Sequence, residues 1–413
     1  MTTDPEPSVA LRHLRAFLAV VETGGFSAAG QSIRRSTSAV SRSVSLLEGA
    51  LGRPLLLRGP GRQIPTPAGE AVARRCALIR RELATCRDQV ARYHAAAIPP
   101  SSALFGMMVD CAHLRALVAV RDFRSVQRAA RVLGVTQPAV SYSIRLLEAD
   151  TGVTQFSRLP TGMVATPAGD SLAITARRVL AELSRMVDDV RSAEGVSTGL
   201  VRVGALAYSR TALLPGAIRQ VLADHPNVSV CTVEGHIDHL MTALHHGEID
   251  VLLCAYPDRS LLDGISLERI ERDRLGFFVR PDHPLAGRRG VALTALLDHD
   301  FILPPQGTIT RVLLEEFFAE NGLRPPRGRA ETSSYSLVRE LVAGSDCIAF
   351  RTRREFPPHP DAAAVALDTA VPAPEREICV LQRLEAHQTA AVGAFLDVVR
   401  GMGSLGPDGI THG

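Results

Sequence analysis

Two stretches of this 413-residue chain carry side chains spaced to read a row of hydrogen-bond donors and acceptors. In residues 136–148, Thr-Gln-Pro-Ala-Val-Ser-Tyr-Ser-Ile-Arg-Leu-Leu-Glu, the apolar Val140, Ile144 and Leu147 recur at i, i+4 and i+7, while Gln137, Ser141, Tyr142 and Arg145 fall on other faces. Amides, hydroxyls and a guanidinium offered from one side of a helix can pair with base edges in the major groove of duplex DNA. Thr136 is a good N-cap and Pro138 lies in the first turn, so the pattern predicts where this helix starts. Residues 36–48, Ser-Thr-Ser-Ala-Val-Ser-Arg-Ser-Val-Ser-Leu-Leu-Glu, repeat the arrangement one hundred positions earlier. The chain holds its reading helix twice.

The elements that must position these helices are repeated with them. His13-Leu14-Arg15-Ala16 recurs at 113–116, Thr66-Pro67-Ala68-Gly69 at 166–169, and Val20, Gly52 and Arg58 match Val120, Gly152 and Arg158 with no gap. A fixed offset over so many positions predicts duplication of a domain, not a short solenoid repeat. Each copy reads as helix, helix, turn, recognition helix and a short hairpin ending before Thr-Pro-Ala-Gly. Gly134 suits a left-handed turn in copy two, whereas Arg34 in copy one would cost roughly 1 kcal/mol there. Copy one has a basic hairpin tip, Arg-Gly-Pro-Gly-Arg at 58–62, and copy two has Arg-Leu-Pro-Thr-Gly at 158–162.

A long helix with a 4, 3, 4, 3, 4 apolar seam follows each copy, Val72, Cys76, Ile79, Leu83, Cys86 and Val90 in the first, Leu172, Ala176, Val179, Leu183, Met186 and Val190 in the second. That spacing packs one helix on another. Antiparallel pairing of two such helices, each ~38 Å long, would make one chain a pseudo-dimer, with two recognition helices about an approximate two-fold axis. The expected partner is double-stranded DNA with a near-palindromic site, the DNA-facing candidates including Arg62 at the first hairpin tip. The loop over 95–106 is long enough to close the unit.

Charge follows the same division. Residues 1–98 carry +7, 99–198 carry +2 and 199–413 carry −6, which suggests a phosphate-facing front and a different rear. All 46 basic residues are arginine, which excludes chemistry that requires lysine, such as Walker A loops and Schiff bases. The seven cysteines show no zinc spacing and read as small core residues of a reducing compartment. No apolar run approaches 18 residues and the amino terminus has no signal pattern, so a cytoplasmic protein without a membrane role is expected.

From residue 199 apolar runs alternate with helices: strands over 200–206, 228–234 and 249–255, then 275–279, 301–303, 329–332, 347–350 and 378–382, with helices between and after them. This alternation predicts parallel sheet in two α/β lobes, with a ligand cleft at the carboxyl ends of the strands. Candidate effector contacts are Tyr208, Ser209, Arg210, Thr211, His236, Gln306, Thr308, Ser333 and Ser334, at loops that lead into helix N-termini, where an anion is favoured. Ser and Thr there also serve as plain N-caps. His236, His239, His245 and His246 cluster without a metal-site motif such as HExxH, and a solvated helix face accounts for them, so no metal or cofactor is expected. Cys231 and Cys254 would fall on neighbouring strands, as a redox pair or as two buried apolar thiols.

The combination resembles the LysR-type transcriptional regulators. Copy one carries the resemblance in Leu14, Phe17, Val20, Phe26-Ser27-Ala28-Ala29, Ala39-Val40-Ser41, Leu47-Glu48, Leu51-Gly52, Arg58 and Thr66-Pro67-Ala68-Gly69, and copy two in Ala129-Ala130, the run from Leu133 to Ser141, Leu147-Glu148 and Gly152. The rear half resembles the family's effector domain at Leu200-Val201-Arg202-Val203-Gly204, Leu213-Leu214-Pro215, Gly247-Glu248-Ile249-Asp250, His283-Pro284-Leu285 and Leu341-Val342-Ala343-Gly344. The resemblance implies two winged-helix, largely all-α N-terminal domains with long linker helices, spanning 1–96 and 97–196, then a two-lobed α/β periplasmic-binding-protein-like domain over 197–413. Carried over by position, Ser36, Thr37, Ser38, Ser41, Arg42 and Arg58, with Gln137, Pro138, Ser141, Tyr142 and Arg158, would face DNA, and Tyr208 and His236 would touch effectors. Family members carry one winged helix per chain, and this sequence carries two.

The function expected is therefore a DNA-binding transcriptional regulator, a homo-oligomer controlled by a small anionic or polar effector, and not an enzyme. An enzyme built on the two-lobed half is the alternative, but G-x-S-x-G, H-E-x-x-H and Gly-rich phosphate loops are absent from the sequence. A ligand-binding scaffold whose winged helices only pair proteins would show no salt-dependent affinity for DNA.

Overall fold

The hundred-residue repeat of the sequence is also a repeat of backbone. The computed structural model describes residues 9–413 apart from 58, 60–61, 94–101, 194, 196, 207–212, 258, 357–361, 385, 404–409 and 413. Copy one comprises α1 (Leu11–Thr23), α2 (Phe26–Ile33), α3 (Thr37–Leu51) and the long α4 (Pro67–Val90). Copy two comprises α5 (Cys111–Phe123), α6 (Val126–Leu133), α7 (Gln137–Thr151), a hairpin of β1 (Phe156–Leu159) and β2 (Gly162–Ala165), and α8 (Pro167–Ser192). Two compact units result: Met1–Leu200 with His246–Glu248 and His387–Ala391, and the remainder.

Local chemistry sets the helix ends. Ser36 Oγ accepts from the Ala39 N–H and Thr136 Oγ1 from the Ala139 N–H, so each recognition helix begins on a capped first turn. Glu48 and Glu148 hold the next segment, their carboxylates accepting from the Leu55 N–H at 2.7 Å and the Gln155 N–H at 2.8 Å. The left-handed helix ends are shared out unevenly. Copy one has Gly24 (φ 76°) and Arg34 (φ 56°), whereas copy two has Arg124 (φ 49°) and Gly134 (φ 66°), so each copy carries one arginine in a conformation that suits glycine.

Thr-Pro-Ala-Gly starts each long helix. Thr66 and Thr166 cap it, Pro67 and Pro167 occupy its first turn, and the glycine lets strand and helix touch. A Cβ at Gly69 would stand 2.0 Å from the Leu55 carbonyl oxygen, and one at Gly169 would stand 1.9 Å from that of Gln155. The hairpin itself differs between copies. Copy two forms a four-residue ladder, whereas the described part of copy one shows only the Leu56–Pro65 bridge, short of the hairpin expected there. The loop expected to close the unit also packs: Leu104, Phe105, Met107 and Val109 are buried, and Asp150 accepts from the N–H groups of Ala103 and Leu104.

All twelve seam residues of α4 and α8 are buried. The helices run antiparallel, since Arg75 reaches Glu182 and Asp189 while Glu82 pairs with Arg178 and Cys86 approaches Ser171. Arg75 is wholly enclosed, 2.6 Å from Glu182 and 2.7 Å from Asp189. Seen as a single unit, the two copies share one continuous apolar core.

The second unit is a mixed sheet with helices around it. Its elements are β3 (Gly199–Ala205), α9 (Leu213–Asp224), β4 (Val228–Glu234), α10 (Ile237–His245), β5 (Val251–Ala255), β6 (Ile265–Val279) and α11 (Leu293–Leu296). They continue with β7 (Phe301–Leu303), α12 (Ile309–Glu320), β8 (Gly328–Glu331), α13 (Tyr335–Ala343), β9 (Ile348–Thr352), β10 (Val365–Ala366), β11 (Glu375–Arg383), α14 (Ala390–Met402) and β12 (Ile410–His412). The strand order is β4-β3-β5-β11-β6-β9-β7-β8. Parallel pairs β3–β5, β7–β8 and β7–β9 match the expected lobes, but β6 and β11 run antiparallel through the middle. One lobe packs around Leu240, Leu252, Ile265 and Leu381, the other around Phe277, Phe301, Phe318 and Phe350.

Strand β6 begins ten residues before the expected 275. Its first part carries Glu268, Glu271 and Asp273, charges that are acceptable in a ladder because the opposite sign is supplied around them: on β11, Arg376 meets Asp273 at 2.8 Å and Glu377 meets Arg269 at 2.6 Å, while Arg400 of α14 meets Glu268 at 2.8 Å and Arg354 meets Glu271 at 2.5 Å.

Strand order also corrects the cysteine reading. Strand β3 separates β4 from β5, so Cys231 and Cys254 are not neighbours; Cys254 instead faces Cys379 across the β5–β11 ladder. Both of those are buried, and burial raises the Cys254 thiol well above its ordinary range and the Cys379 thiol to about 12. They pack as apolar residues.

Three outcomes test this account. Arg75→Ala leaves Asp189 buried without its counter-charge and Glu182 with Arg185 alone, and should cost about 3 to 5 kcal/mol in denaturant unfolding of the full chain. Gly169→Ala, a single added methyl, should lower the melting temperature markedly, whereas Gly25→Ala, which meets open space, should not. A colorimetric disulfide reagent at neutral pH should label Cys231, which is exposed, and leave Cys76, Cys86, Cys254 and Cys379 unmodified until the chain unfolds.

Candidate nucleic-acid interface and effector site

On copy one, Ser36, Thr37, Ser38, Ser41 and Arg42 are all exposed along the first two turns of α3. Ser36 and Ser38 exchange a hydroxyl contact at 3.1 Å, which leaves Thr37, Ser41 and Arg42 facing outward. Arg62 is exposed, and its stem lies across the end of α1: a Cβ on Gly24 would come within 2.9 Å of the Arg62 Cγ. The Gln63 N–H donates to the Gly24 carbonyl, which ties the hairpin base to the same place. Arg58 lies outside the described residues.

Beside α3 the surface opens into a cavity of about 240 Å³ walled by Arg12 and Arg15 of α1, Arg35 of the turn and Arg42, with Leu46 and Met108 completing it. Among the described residues no carboxylate pairs with these four guanidinium groups. Burial, and then the like charge of Arg35, hold Arg15 below its ordinary pKa. An anion would relieve both effects.

Copy two presents the corresponding surface differently. Gln137, Pro138 and Tyr142 are exposed, Ser141 is half-buried, and Arg158 is exposed on β1. The Tyr142 ring stands edge-on to His113 with centroids 6.2 Å apart, and His113 Nδ1 is 2.9 Å from Ser143 Oγ. The structure thus places each described DNA-facing candidate on the outside of its helix or strand and adds Arg12, Arg15 and Arg35. Repeat comparison would have singled out Arg12 and Arg35, since positions 112 and 135 hold Ala and Val, but not Arg15, which Arg115 matches.

In the second unit the effector candidates divide. Tyr208, Ser209, Arg210 and Thr211 lie outside the described residues. Gln306, Thr308, Ser333 and Ser334 come together at the carboxyl ends of β7 and β8, which the parallel pairing of those strands brings side by side. The Gln306 N–H donates to Glu331 at 2.7 Å, Thr308 caps α12 and Ser334 caps α13, so two of the four hydroxyls or amides are already engaged as helix caps. His236 is exposed before α10, and among the described residues no hydrogen bond or ion pair joins it to the other four.

Sequence reasoning missed a buried charged network at the strand crossing. Arg376 donates to Asp273 at 2.8 Å and to Thr310 Oγ1 at 2.6 Å. Arg351 meets Glu355 at 2.6 Å and reaches the Ser333 carbonyl, while burial raises the Glu355 carboxyl above its usual range. Ile309 packs with Leu213, Ala255 and Ile378, so the starts of α9 and α12 flank this network. The missed signal was the alternation of Glu271 and Asp273 with Arg272 and Arg274, an all-charged run that looks like surface when read alone.

For metal binding, no group of three potential ligands gathers among the described residues. His246 is buried and its imidazole is held down to about 4, first by burial and then by Arg121 and Arg177. No described helix is long and apolar enough to cross a membrane.

Comparison with known proteins agrees with this geometry. The family described as bacterial regulatory helix-turn-helix protein, lysR family, matches twice, at 11–70 and 111–170, and the LysR substrate binding domain matches 194–403. The HTH-type transcriptional regulator GalR of Pseudomonas putida is 30% identical over 391 residues, 94% of this chain and 96% of its own. YdcI of Escherichia coli, an uncharacterized HTH-type regulator, is 30% identical over 60% of this chain and 81% of its own. Among solved structures, full-length OxyR from Pseudomonas aeruginosa superposes with a TM-score of 0.54 at 21% identity, covering 71% of this chain and 98% of its own. CbnR, a LysR family regulator also solved with its target DNA, gives 0.53 at 22% identity over 72% of this chain and 100% of its own. These last two share the fold, a helical front and a two-domain α/β rear, and leave more than a quarter of this chain unmatched. The chain belongs to the LysR-type transcriptional regulators, DNA-binding proteins governed by a small-molecule effector, and carries the helix-turn-helix of that family twice.

Proposed function

We propose that residues 1–96 and 97–196 form two winged helix-turn-helix domains joined through their linker helices, and that both contact double-stranded DNA. Copy one reads through Thr37, Ser41 and Arg42 with Arg58 and Arg62 at its wing, and copy two through Gln137, Pro138, Ser141, Tyr142 and Arg158. The observation that carries this reading is the pair of exposed, capped N-terminal turns held by one antiparallel helix pair. Such a pair suits two half-sites one helical turn apart.

Residues 197–413 act as a two-lobed, periplasmic-binding-protein-like sensor without catalysis. The starts of α9 and α12, with Arg376 nearby, favour an anionic or polar effector between the lobes. Binding shifts the population between arrangements of the lobes and so changes how the front is held on DNA. The protein works in the cytoplasm as a homo-oligomer.

Genome-wide footprinting with the purified full-length protein tests this directly, followed by shift assays of Arg42→Ala and Gln137→Ala made singly. Both variants should weaken binding by roughly tenfold or more, the cost of one lost base contact. Loss from one variant alone would assign DNA contact to that copy only. Absence of salt-dependent DNA affinity would discard the reading.

A further inference from the structure

The two heads differ in what their centres and rims are made of. At the middle of the reading face copy one has Arg12, Arg35 and Arg42, and copy two has Ala112, Val135 and Tyr142 at the same three places. Val135 is 48% exposed and Tyr142 56%, and elsewhere on copy two Val132 and Leu159 are exposed as well, where copy one has Ser32 and Gly59. Four large apolar side chains therefore face outward on copy two.

Copy two also adds to its margin, whereas the margin of copy one keeps Arg34 and Arg62, where copy two has Gly134 and Gly162. Arg124, Arg128, Arg131 and Arg145 are exposed on copy two, at positions that hold Gly24, Ala28, Gln31 and Ser45 in copy one. No carboxylate pairs with these four among the described residues. Copy one is thus strongly basic in the centre, and copy two, which keeps only Arg115 at the place of Arg15, is more apolar there, with a basic margin.

Base chemistry distinguishes these surfaces. A guanidinium in the groove pairs best with guanine O6 and N7, an amide such as Gln137 with adenine N6 and N7, and an apolar side chain with the 5-methyl of thymine. Phosphates lie at the groove edges, where the margin of copy two carries its arginines. An apolar patch on its own would suit a protein as well, but an unpaired guanidinium margin around a capped recognition helix fits a nucleic-acid duplex.

We infer that the two heads of one chain read half-sites of different composition, a guanine-bearing half under copy one and an adenine- and thymine-bearing half under copy two, so that Val135 and Tyr142 are specificity residues. The two-fold layout of the operator remains, and only its base content is unequal. This inference rests on the DNA-binding reading above.

The test starts by selecting duplexes from a random pool with the full-length protein, then measuring affinity by fluorescence anisotropy with thymine replaced by uracil in one half-site at a time. Uracil under copy two should weaken binding by roughly fourfold, the effect of one methyl group removed from contact, and uracil under copy one should change nothing. Tyr142→Ala should abolish that penalty. Tyr142→Arg, which restores the copy-one residue, should move the selected second half toward guanine. Arg42→Ala should keep the uracil penalty and relax the preference for guanine in the first half.

Selection of two halves of equal composition, or a uracil penalty unchanged in both Tyr142 variants, would overturn the inference while leaving DNA binding in place. DNA affinity that is the same in Tyr142→Ala, with no uracil penalty in the parent protein, would assign the apolar patch to a protein partner instead. A chain that selects no duplex at all would remove the functional reading itself.

Discussion

The antiparallel pairing of α4 and α8 is the constraint from which the front of this protein follows. Twelve buried seam residues supply the association, in the way any two amphipathic helices associate. Register is another matter, because apolar seams tolerate a slip of one heptad. Arg75 removes that freedom: enclosed in the core and bonded to Glu182 and Asp189, it would be left as a bare buried charge by any slip. A buried ion pair contributes little net stability but discriminates strongly against wrong arrangements, which is what two heads held at one separation require.

From that pairing comes the relation between the heads. Two identical heads on one two-fold unit could address only two equivalent half-sites. A duplication inside one chain frees each head to change independently, and the arginines show such a change: Arg12, Arg35 and Arg42 have no counterpart in copy two, and Arg124, Arg128, Arg131 and Arg145 have none in copy one. The same exchange appears at the helix ends, where glycine and arginine trade places between Gly24 and Arg124 and between Arg34 and Gly134. Each copy tolerates one strained arginine of roughly 1 kcal/mol, a cost the shared core absorbs.

The sensor half uses charge in a different way. Its crossing strands β6 and β11 carry Asp273, Glu271 and Arg376 into the interior, where Arg376 neutralises Asp273 and holds Thr310 at the start of α12, and Arg354 meets Glu271. Such a network is stable only when complete, so its geometry is sensitive to small displacements of the two lobes it joins.

Much of this was legible in the residues alone, and for a physical reason: duplication, helix caps, heptad seams and apolar alternation are local patterns, imposed by the period of the element in which they lie. Ser36, Thr136, the Thr-Pro-Ala-Gly starts and the strands from 228 and 301 declared themselves in this way. What only tertiary structure decided depends on partners distant in sequence. The charged first part of β6 became strand because β11 lies opposite it, Cys254 met Cys379 because β3 separates it from Cys231, and the glycines at 69 and 169 had to be glycine because a carbonyl from the hairpin passes beneath them. Strand order and close backbone approach are set by chain folding over long separations, which no short pattern of side chains encodes.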